Sequence, residues 1–439
     1  MDLDVLAQYI ILLNLLFVLL HQCTTNKRVR KPDSQLPYHA KRRRVLWSPL
    51  VRSLGPGEFV RHHRVPLAVF DKIHTAIADD LHTDAKYIRK TCCRGPAHVD
   101  SRSRLSMALK HLGGSKMQDI ERTHGVSRST VVNAIGQTFD AIINKFPIPP
   151  FPFHDEQELQ TIADGFKSKS SGGVFENVVG AVDGFLLHIG KRAIGKGSGV
   201  QDPSKYYCRK GYYAVNCQVC CDANRKVRSV SMLCPGAVPD RLAHLKSSLH
   251  RAIETGKLPT PFHLIGDNAY PDYVLTPFTR PQLRHDVYGF MDNYNFYLSQ
   301  LRINIECTFG MLVNKFPILQ MALATTRLDT ACKTFLVCCI LHNLCIDYRL
   351  ENEDEMTRPF PAGQRYTQRP NGEVRDLLRE DDDFEYVELV DELQADEIVH
   401  AGVNAGPNPT LDIHNDLSVK DKQMYRIARL GYVRPQAST

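Results

Sequence analysis

The sequence lacks the features of a membrane-embedded protein and of a disulfide-stabilised secreted scaffold. Its thirteen cysteines are spread over 439 residues, an odd and dilute number that favours a reducing compartment. The apolar run at residues 5–20 is only sixteen residues long and is interrupted by Gln8 and Asn14, whereas a membrane span needs about 20. Asp2 and Asp4 precede this run, where a secretory signal would carry positive charge. We expect a buried or partner-facing helix there and no membrane association; a signal-anchor is the alternative, because basic residues follow the run.

Charge is divided unevenly along the chain. The formal net charge is +7, but residues 351–397 contain sixteen Asp or Glu and five Arg, a net of −11 that leaves +18 for the remainder. A basic body favours a polyanionic partner, and nucleic acid is the commonest one. The acidic segment is typical of a solvated or disordered tail, and it could also compete with that polyanion for the basic surface.

Two basic clusters near the N-terminus are separated by nine residues. The clusters are Lys27, Arg28, Arg30 and Lys31, then Lys41, Arg42, Arg43 and Arg44. This pattern predicts a bipartite nuclear import signal, and hence a nuclear protein, or an arm that contacts DNA phosphates. A solvated run of charge is the alternative.

Residues 101–146 carry the pattern of a helix-turn-helix unit. Apolar residues at spacings of three and four predict helices over 101–112 and 117–124, and Gly125 supplies a turn. Ser127 can cap a third helix, whose start would enter the major groove of DNA. The residues at that start are Arg128, Ser129 and Thr130. An ordinary helical hairpin is the alternative.

Prolines at 147–152 break the chain, and a different pattern follows them. Predicted strands cover 178–189, 212–221, 227–233 and 261–265. Predicted helices cover 241–254, 293–313 and 329–349. Strands first, and then a strand mixed with helices, indicate a mixed α/β domain.

Three acidic residues lie in apolar surroundings. Asp183 interrupts an apolar strand, Asp267 follows a short one, and Glu306 lies in an apolar stretch of helix. A carboxylate in such surroundings is costly unless it is paired or binds a metal. Three convergent carboxylates could hold Mg²⁺ ions. Taken alone, each acid could equally be a cap or a salt-bridged residue, and Arg302 is placed to pair with Glu306.

These acids lie in segments that resemble the motifs of PIF/Harbinger-type DDE transposases. The segments AVDGF at 181–185, LIGDNAYP at 264–271 and RINIECTFG at 302–310 resemble the three acidic motifs of that family. The segment YYCRKGYYAVN at 206–216 is similar to its RKGYY segment, and LHN at 341–343 to the C-terminal end of its domain. Together with the helices upstream, the resemblance covers roughly residues 95–350.

The resemblance implies a ribonuclease-H-like core, which the spacings of 84 and 39 residues between the acids suit. It implies that Asp183 lies on the first, central strand, Asp267 just after the fourth strand, and Glu306 on the following helix. It also implies Mg²⁺ or Mn²⁺, as two ions, held by these three acids. The implied chemistry is attack of water at a transposon end, followed by attack of the freed 3′-hydroxyl on target DNA.

One family motif departs from its usual form. Ala237 and Arg241 stand where the family often has serines, although Asp240 keeps the acidic position. We therefore expect Asp240 to be an accessory residue and not a primary ligand. The other expected DNA contacts are Lys205, Arg209, Lys210 and Arg302. Cys217, Cys220 and Cys221 lack a clear second pair of zinc ligands, so buried free thiols are favoured.

The predicted fold class is α/β, a ribonuclease-H-like mixed-sheet catalytic domain preceded by an all-α helix-turn-helix domain. The predicted domains are an apolar helix plus basic linker arm over 1–64, the helix-turn-helix DNA-binding domain over 65–150, the DDE catalytic domain over 151–350, and an acidic, partly disordered tail with a terminal helix over 351–439. The expected function is a nuclear, transposase-like DNA endonuclease with two-metal catalysis. Expected partners are double-stranded DNA, an accessory DNA-binding protein and a second copy of the chain.

Two other functions remain open on the sequence. A host-adopted transposase derivative would bind DNA or protein without cutting. A metal-dependent hydrolase of small phosphate esters would need neither the helix-turn-helix unit nor the basic clusters.

Overall fold

The structure is a computed structural model that describes Trp47 and residues 54–81, 99–195, 197–198, 200–271, 273–352 and 418–430. Three sequence predictions lie outside these residues. They are the helix at 5–20, both basic clusters, and nearly all of the acidic segment.

The N-terminal part of the described chain is helical. Its five α-helices are α1 (Pro56–His63), α2 (Leu67–Ile77), α3 (Ser101–Leu112), α4 (Met117–His124) and α5 (Arg128–Lys145). Gly125 ends α4 with a left-handed φ of 61°, which glycine adopts without steric cost. The Ser127 hydroxyl accepts a hydrogen bond from the Thr130 amide at 3.3 Å and so caps α5. Helix, turn and capped helix therefore form where the sequence predicts them.

Sequence analysis assigned the segment of α1 to the linker arm and predicted no helix there. In the structure α1 packs on α2 and α3 through buried aromatic rings. Phe59 is buried, and its ring centroid is 5.5 Å from that of Phe70. His63 Nε2 lies 2.9 Å from the Ser106 hydroxyl of α3. Trp47 stacks on Phe70 with ring centroids 4.6 Å apart. This cluster ties residues preceding position 65 to the helices that follow.

A five-stranded mixed sheet forms the centre of the second part. Its strands are β1 (Val178–His188), β2 (Ala214–Cys221), β3 (Val227–Pro235), β4 (His263–Ile265) and β5 (Val274–Leu275), in the order β3-β2-β1-β4-β5. Strands β1, β2 and β3 are antiparallel neighbours, whereas β4 runs parallel to β1 and to β5. The mixed α/β class is confirmed, and the sheet is consistent with a ribonuclease-H-like domain.

Helices cover this sheet. They are α6 (Glu156–Lys169), α7 (Asp240–Leu245), α8 (Ser248–Glu254), α9 (Arg280–Leu283), α10 (Phe290–Lys315), α11 (Leu328–Glu351) and α12 (Val419–Arg429). The single helix predicted over 241–254 is two helices, because the Ser247 side chain accepts from the His250 amide and starts α8 as a new helix. Helix α6 and strand β5 were not predicted.

Helix α11 is the one helix among the described residues that is long and apolar enough to cross a membrane. More than half of its apolar window is buried inside the protein, which is equally typical of a core helix. His342 is fully buried and places Nε2 2.7 Å from the carbonyl oxygen of Arg225. Asn343 holds Val227 by two hydrogen bonds of 2.8 Å, one to its N–H and one to its carbonyl. These side chains join α11 to the β2–β3 hairpin.

The terminal helix α12 packs against α10. Met424 and Ile427 are its buried apolar side chains among the described residues. Arg426 pairs with Glu176, and the Lys420 ammonium lies 3.9 Å from the centre of the Phe278 ring. The chain therefore returns to the helices that cover the sheet after the acidic segment.

Candidate active site

Asp183 lies on β1, and Asp267 lies two residues beyond the end of the neighbouring parallel strand β4. Ala181 of β1 is in register with Ile265 of β4, and each aspartate follows its registered residue by two positions. Neighbouring strands lie about 4.8 Å apart, so the two carboxylates leave the sheet side by side. The position of Asp267 beyond the carboxyl end of β4 is where open α/β sheets bind ligands.

Burial raises the pKa of Asp183 to about 7. The Gly184 amide donates to the carboxylate at 2.7 Å and opposes that rise. The negative charge of Asp267 raises the pKa further, the positive charge of Arg302 lowers it, and Asp240 adds a smaller rise. Near pH 7 Asp183 is therefore about half protonated, mainly because it is buried and partly because the negative charge of Asp267 lies close to it.

Glu306 lies on α10, on the same face of the sheet as Asp183. Phe185 follows Asp183 by two residues and so shares its face, and its ring centre is 5.3 Å from that of Phe309 on α10. Glu306 is one helical turn before Phe309. Its carboxylate binds Arg302 at 2.8 Å, as the spacing of four residues predicted.

Asp240 lies on the opposite face of the sheet. Gly184 must be glycine there, because a Cβ atom would lie 2.2 Å from the Asp240 carboxylate. The amide groups of Asn216 and Gln218 donate to this carboxylate at 2.8 and 3.2 Å. Asp240 thus contacts Gly184, the residue next to Asp183, from the opposite face of the sheet. Its accessory role stays a prediction.

The acids offer a partial fit to a divalent cation. Asp183 and Asp267 supply oxygen ligands side by side, and Mg²⁺ often uses one or two carboxylates together with a substrate phosphate. Within the described residues, no group of three or more His, Cys, Asp or Glu side chains is arranged to hold a metal ion. Glu306 faces Arg302 instead and would have to exchange that partner to join the pair.

The candidate DNA contacts are distributed over two surfaces. Arg128 and Ser129 are exposed at the start of α5, and Thr130 is half-buried behind them. Arg209 and Lys210 are exposed at the tip of a short hairpin closed by a bridge between Tyr207 and Tyr213. Lys205 lies next to this hairpin and pairs weakly with Asp202 at 3.8 Å. Arg302 is held by Glu306, inside the acidic site.

The cysteines of β2 are free and buried in the sheet. Cys217, Cys220 and Cys221 are all free thiols, and burial raises the pKa of each. Successive side chains of a strand point to opposite faces, so Cys220 points away from Cys217 and Cys221, and the three thiols are not grouped around one point as zinc ligands are. The preference for buried thiols is confirmed.

Sequence reasoning missed the buried polar residues behind the acids. Asn216 and Gln218 are 2% and 5% exposed, and the Tyr270 hydroxyl donates to Gln218 Oε1 at 2.8 Å. The signal was available, because Asn216 and Gln218 are the polar residues at alternate positions of an otherwise apolar strand. Alternate positions share one face of a sheet, so the two amide side chains were bound to lie on the same face.

Residues 182–343 match the family described as DDE superfamily endonuclease. That range contains Asp183, Asp267 and Glu306. The chain therefore contains a DDE superfamily endonuclease domain. The resemblance noted in the sequence is confirmed at this level.

Curated relatives agree with this assignment. The mouse protein named "Putative nuclease HARBI1" is 26% identical over 259 residues, 57% of this chain and 66% of its own length. The human protein of the same name is 25% identical over 250 residues, 55% of this chain and 67% of its own length. The chain thus spans about two thirds of the length of the curated relatives it matches. No solved structure matches.

Proposed function

We propose that this protein is a divalent-metal-dependent DNA endonuclease of the transposase type, able to transfer the cut 3′ end to target DNA, and that it acts in the nucleus. The observation that carries the proposal is the placement of Asp183 on β1 and of Asp267 two residues beyond the end of its parallel neighbour β4. Membership of the DDE superfamily endonuclease family supports it, as do relatives whose name describes a nuclease. The basic hairpin tip and the exposed start of α5 supply surfaces that suit DNA phosphates.

In this proposal Asp183 and Asp267 hold a pair of Mg²⁺ or Mn²⁺ ions, with Glu306 as the third ligand. Two such ions would activate the attacking water and stabilise the leaving oxygen. Glu306 joins by leaving Arg302, whose guanidinium then becomes available to a DNA phosphate, a group that suits its planar fork of donors. Asp183 gives up the proton that its raised pKa retains near neutral pH.

The test is nicking of supercoiled plasmid in Mn²⁺ by the full chain and two matched variants. Asp183→Asn removes the central carboxylate and is expected to abolish nicking. Asp164→Asn makes the same change at an exposed position of α6 and is expected to nick like the wild type. Equal nicking by both variants would show that the activity comes from another site or from a contaminant.

An absence of nicking in all three proteins, also on DNA that carries candidate terminal repeats, would contradict the endonuclease. That result would favour the host-adopted DNA- or protein-binding derivative, in which the acids remain without cleavage. Calorimetry with Mn²⁺ separates binding from chemistry, because Asp183→Asn is expected to weaken binding of the ion even where no cut is seen.

A further inference from the structure

We propose that Tyr270 is a positioning residue for Asp267, acting through a buried chain of hydrogen bonds that ends on Asp240. This inference rests on the proposed function, because it assigns Asp267 to the metal-binding site. It adds a second layer on the opposite face of the sheet, where no primary ligand lies.

The chain of hydrogen bonds has a defined direction. Asp240 as a carboxylate only accepts, so Asn216 and Gln218 must turn their NH₂ groups towards it. The oxygen of Asn216 then accepts from Gln218 at 2.8 Å. The oxygen of Gln218 is left to accept from the Tyr270 hydroxyl, at 2.8 Å. The negative charge of Asp240 therefore fixes the orientation of both amides, so that the Tyr270 hydroxyl donates to Gln218 Oε1.

Burial makes this arrangement rigid. Tyr270, Gln218 and Asn216 are 3%, 5% and 2% exposed. An unpaired polar group at such sites would be costly, so the pairing that satisfies all of them is strongly preferred. The Tyr270 hydroxyl is therefore held in one place relative to the middle of β2.

Tyr270 also fixes the backbone that presents Asp267. Its amide bonds back to the Asp267 carbonyl at 3.3 Å, and the Ala269 amide donates to the Asp267 carboxylate at 2.8 Å. The Tyr270 ring packs against Gly266, where an added Cβ would lie 2.9 Å from the ring. The Tyr270 hydroxyl thus anchors the short turn from Asp267 to Tyr270. We infer that this turn sets the direction of the Asp267 carboxylate.

The same turn offers a matched control. Tyr273 follows Tyr270 by three residues, and its hydroxyl lies 2.8 Å from His244 Nε2 and 2.7 Å from His250 Nδ1. It makes none of the hydrogen bonds that lead to Asp240. Tyr270→Phe and Tyr273→Phe each remove one buried hydroxyl and keep the ring, so only the first breaks the chain to Asp267.

The experiment measures Mn²⁺ binding to the full chain by calorimetry, without DNA. Loss of a residue that orients a metal ligand typically weakens metal binding about 10- to 100-fold. We expect Tyr270→Phe to weaken Mn²⁺ binding about tenfold, and Tyr273→Phe to bind within about twofold of the wild type. Asp240→Asn lets the two amides reorient and is expected to weaken binding in the same direction as Tyr270→Phe. Equal Mn²⁺ binding by the two tyrosine variants would overturn the inference.

Hydrogen exchange in the metal-free protein supplies a second readout that needs no ion. Tyr270→Phe is expected to speed exchange of the Ala269 amide, which is bonded to the Asp267 carboxylate, whereas Tyr273→Phe is not. If the wild type bound no Mn²⁺, the proposed function would fail, and this exchange comparison would still decide the positioning role. Unchanged exchange at Ala269 in Tyr270→Phe would refute it. Thermal unfolding of both variants separates a general loss of stability from either result.

Discussion

Mild acid should destabilise the N-terminal helices, because buried histidines there are held neutral. His63 and His124 are 0% and 3% exposed. Burial lowers the pKa of His63 to about 3 and that of His124 to about 4, and the positive charge of Lys110 lowers both further. His63 Nδ1 faces the Phe59 carbonyl and Nε2 faces the Ser106 hydroxyl, so the neutral ring is fully hydrogen-bonded. A second ring proton would add charge without adding a partner.

The size of the effect follows from linkage. Both folded pKa values lie below the unfolded value of 6.5, so the neutral form stabilises the fold above pH 6.5 and that contribution is lost as the pH falls. Between pH 7.5 and pH 5 each histidine then lowers the free energy of unfolding by about 2 kcal/mol, because the unfolded chain binds a proton that the folded chain does not bind. Together they remove about 4 kcal/mol, a large part of an ordinary domain's stability of about 5–15 kcal/mol.

The single tryptophan of the chain reports on this region. Trp47 stacks on Phe70, and its centroid is 5.8 Å from that of His63. Urea unfolding followed by its fluorescence, repeated from pH 7.5 to pH 5, gives the stability at each pH. His63→Gln can keep both hydrogen bonds and is expected to reduce the loss by about 2 kcal/mol. His62→Gln, at the exposed neighbouring position, should leave it unchanged. A stability that stays constant over this range, or equal pH dependence in both variants, would refute the reasoning.

Two further predictions concern α11 and α5. Asn343→Ala removes two hydrogen bonds to Val227 and should lower the free energy of unfolding by about 2–4 kcal/mol. The measurements are urea unfolding and hydrogen exchange of the Val227 amide, which should become faster. The control Asn352→Ala removes one hydrogen bond at the end of α11 and should lower the free energy of unfolding by less than half as much. An equal loss in both variants would contradict the role of Asn343. Arg128→Ala should relax DNA sequence preference at one base position by about 1–3 kcal/mol, measured by competition binding on single-base variants. A uniform loss across all sequences would make Arg128 a phosphate contact instead.

Patterns confined to a short stretch of chain were predictable from the sequence. The helices between Ser101 and Lys145 appear where the apolar spacing, Gly125 and Ser127 indicate them. The same holds for β1, whose eleven residues form a nearly continuous apolar run around Asp183. In each case neighbouring residues alone determine the periodicity.

Features that depend on distant contacts were not predictable in this way. Helix α1 carries few apolar residues. Phe59 and His63 become buried only because the rings of Trp47 and Phe70 pack against them. Strand β5 has two residues and exists because β4 pairs with it. The link from Tyr270 to Gln218 crosses 52 positions of sequence, so no local pattern could indicate it.

The charges around Asp183 explain how neighbouring carboxylates coexist there. Asp183 and Asp267 lie side by side, and two neighbouring carboxylates resist full ionisation together. Asp183 responds by retaining a proton near neutral pH, and Glu306 responds by pairing with Arg302. The proton on Asp183 and the guanidinium of Arg302 thus offset negative charge, which divalent ions would offset in the proposed function. In the proposed function, binding of those ions would release the proton to solvent and free the guanidinium, and Arg302 would then be available to a DNA phosphate.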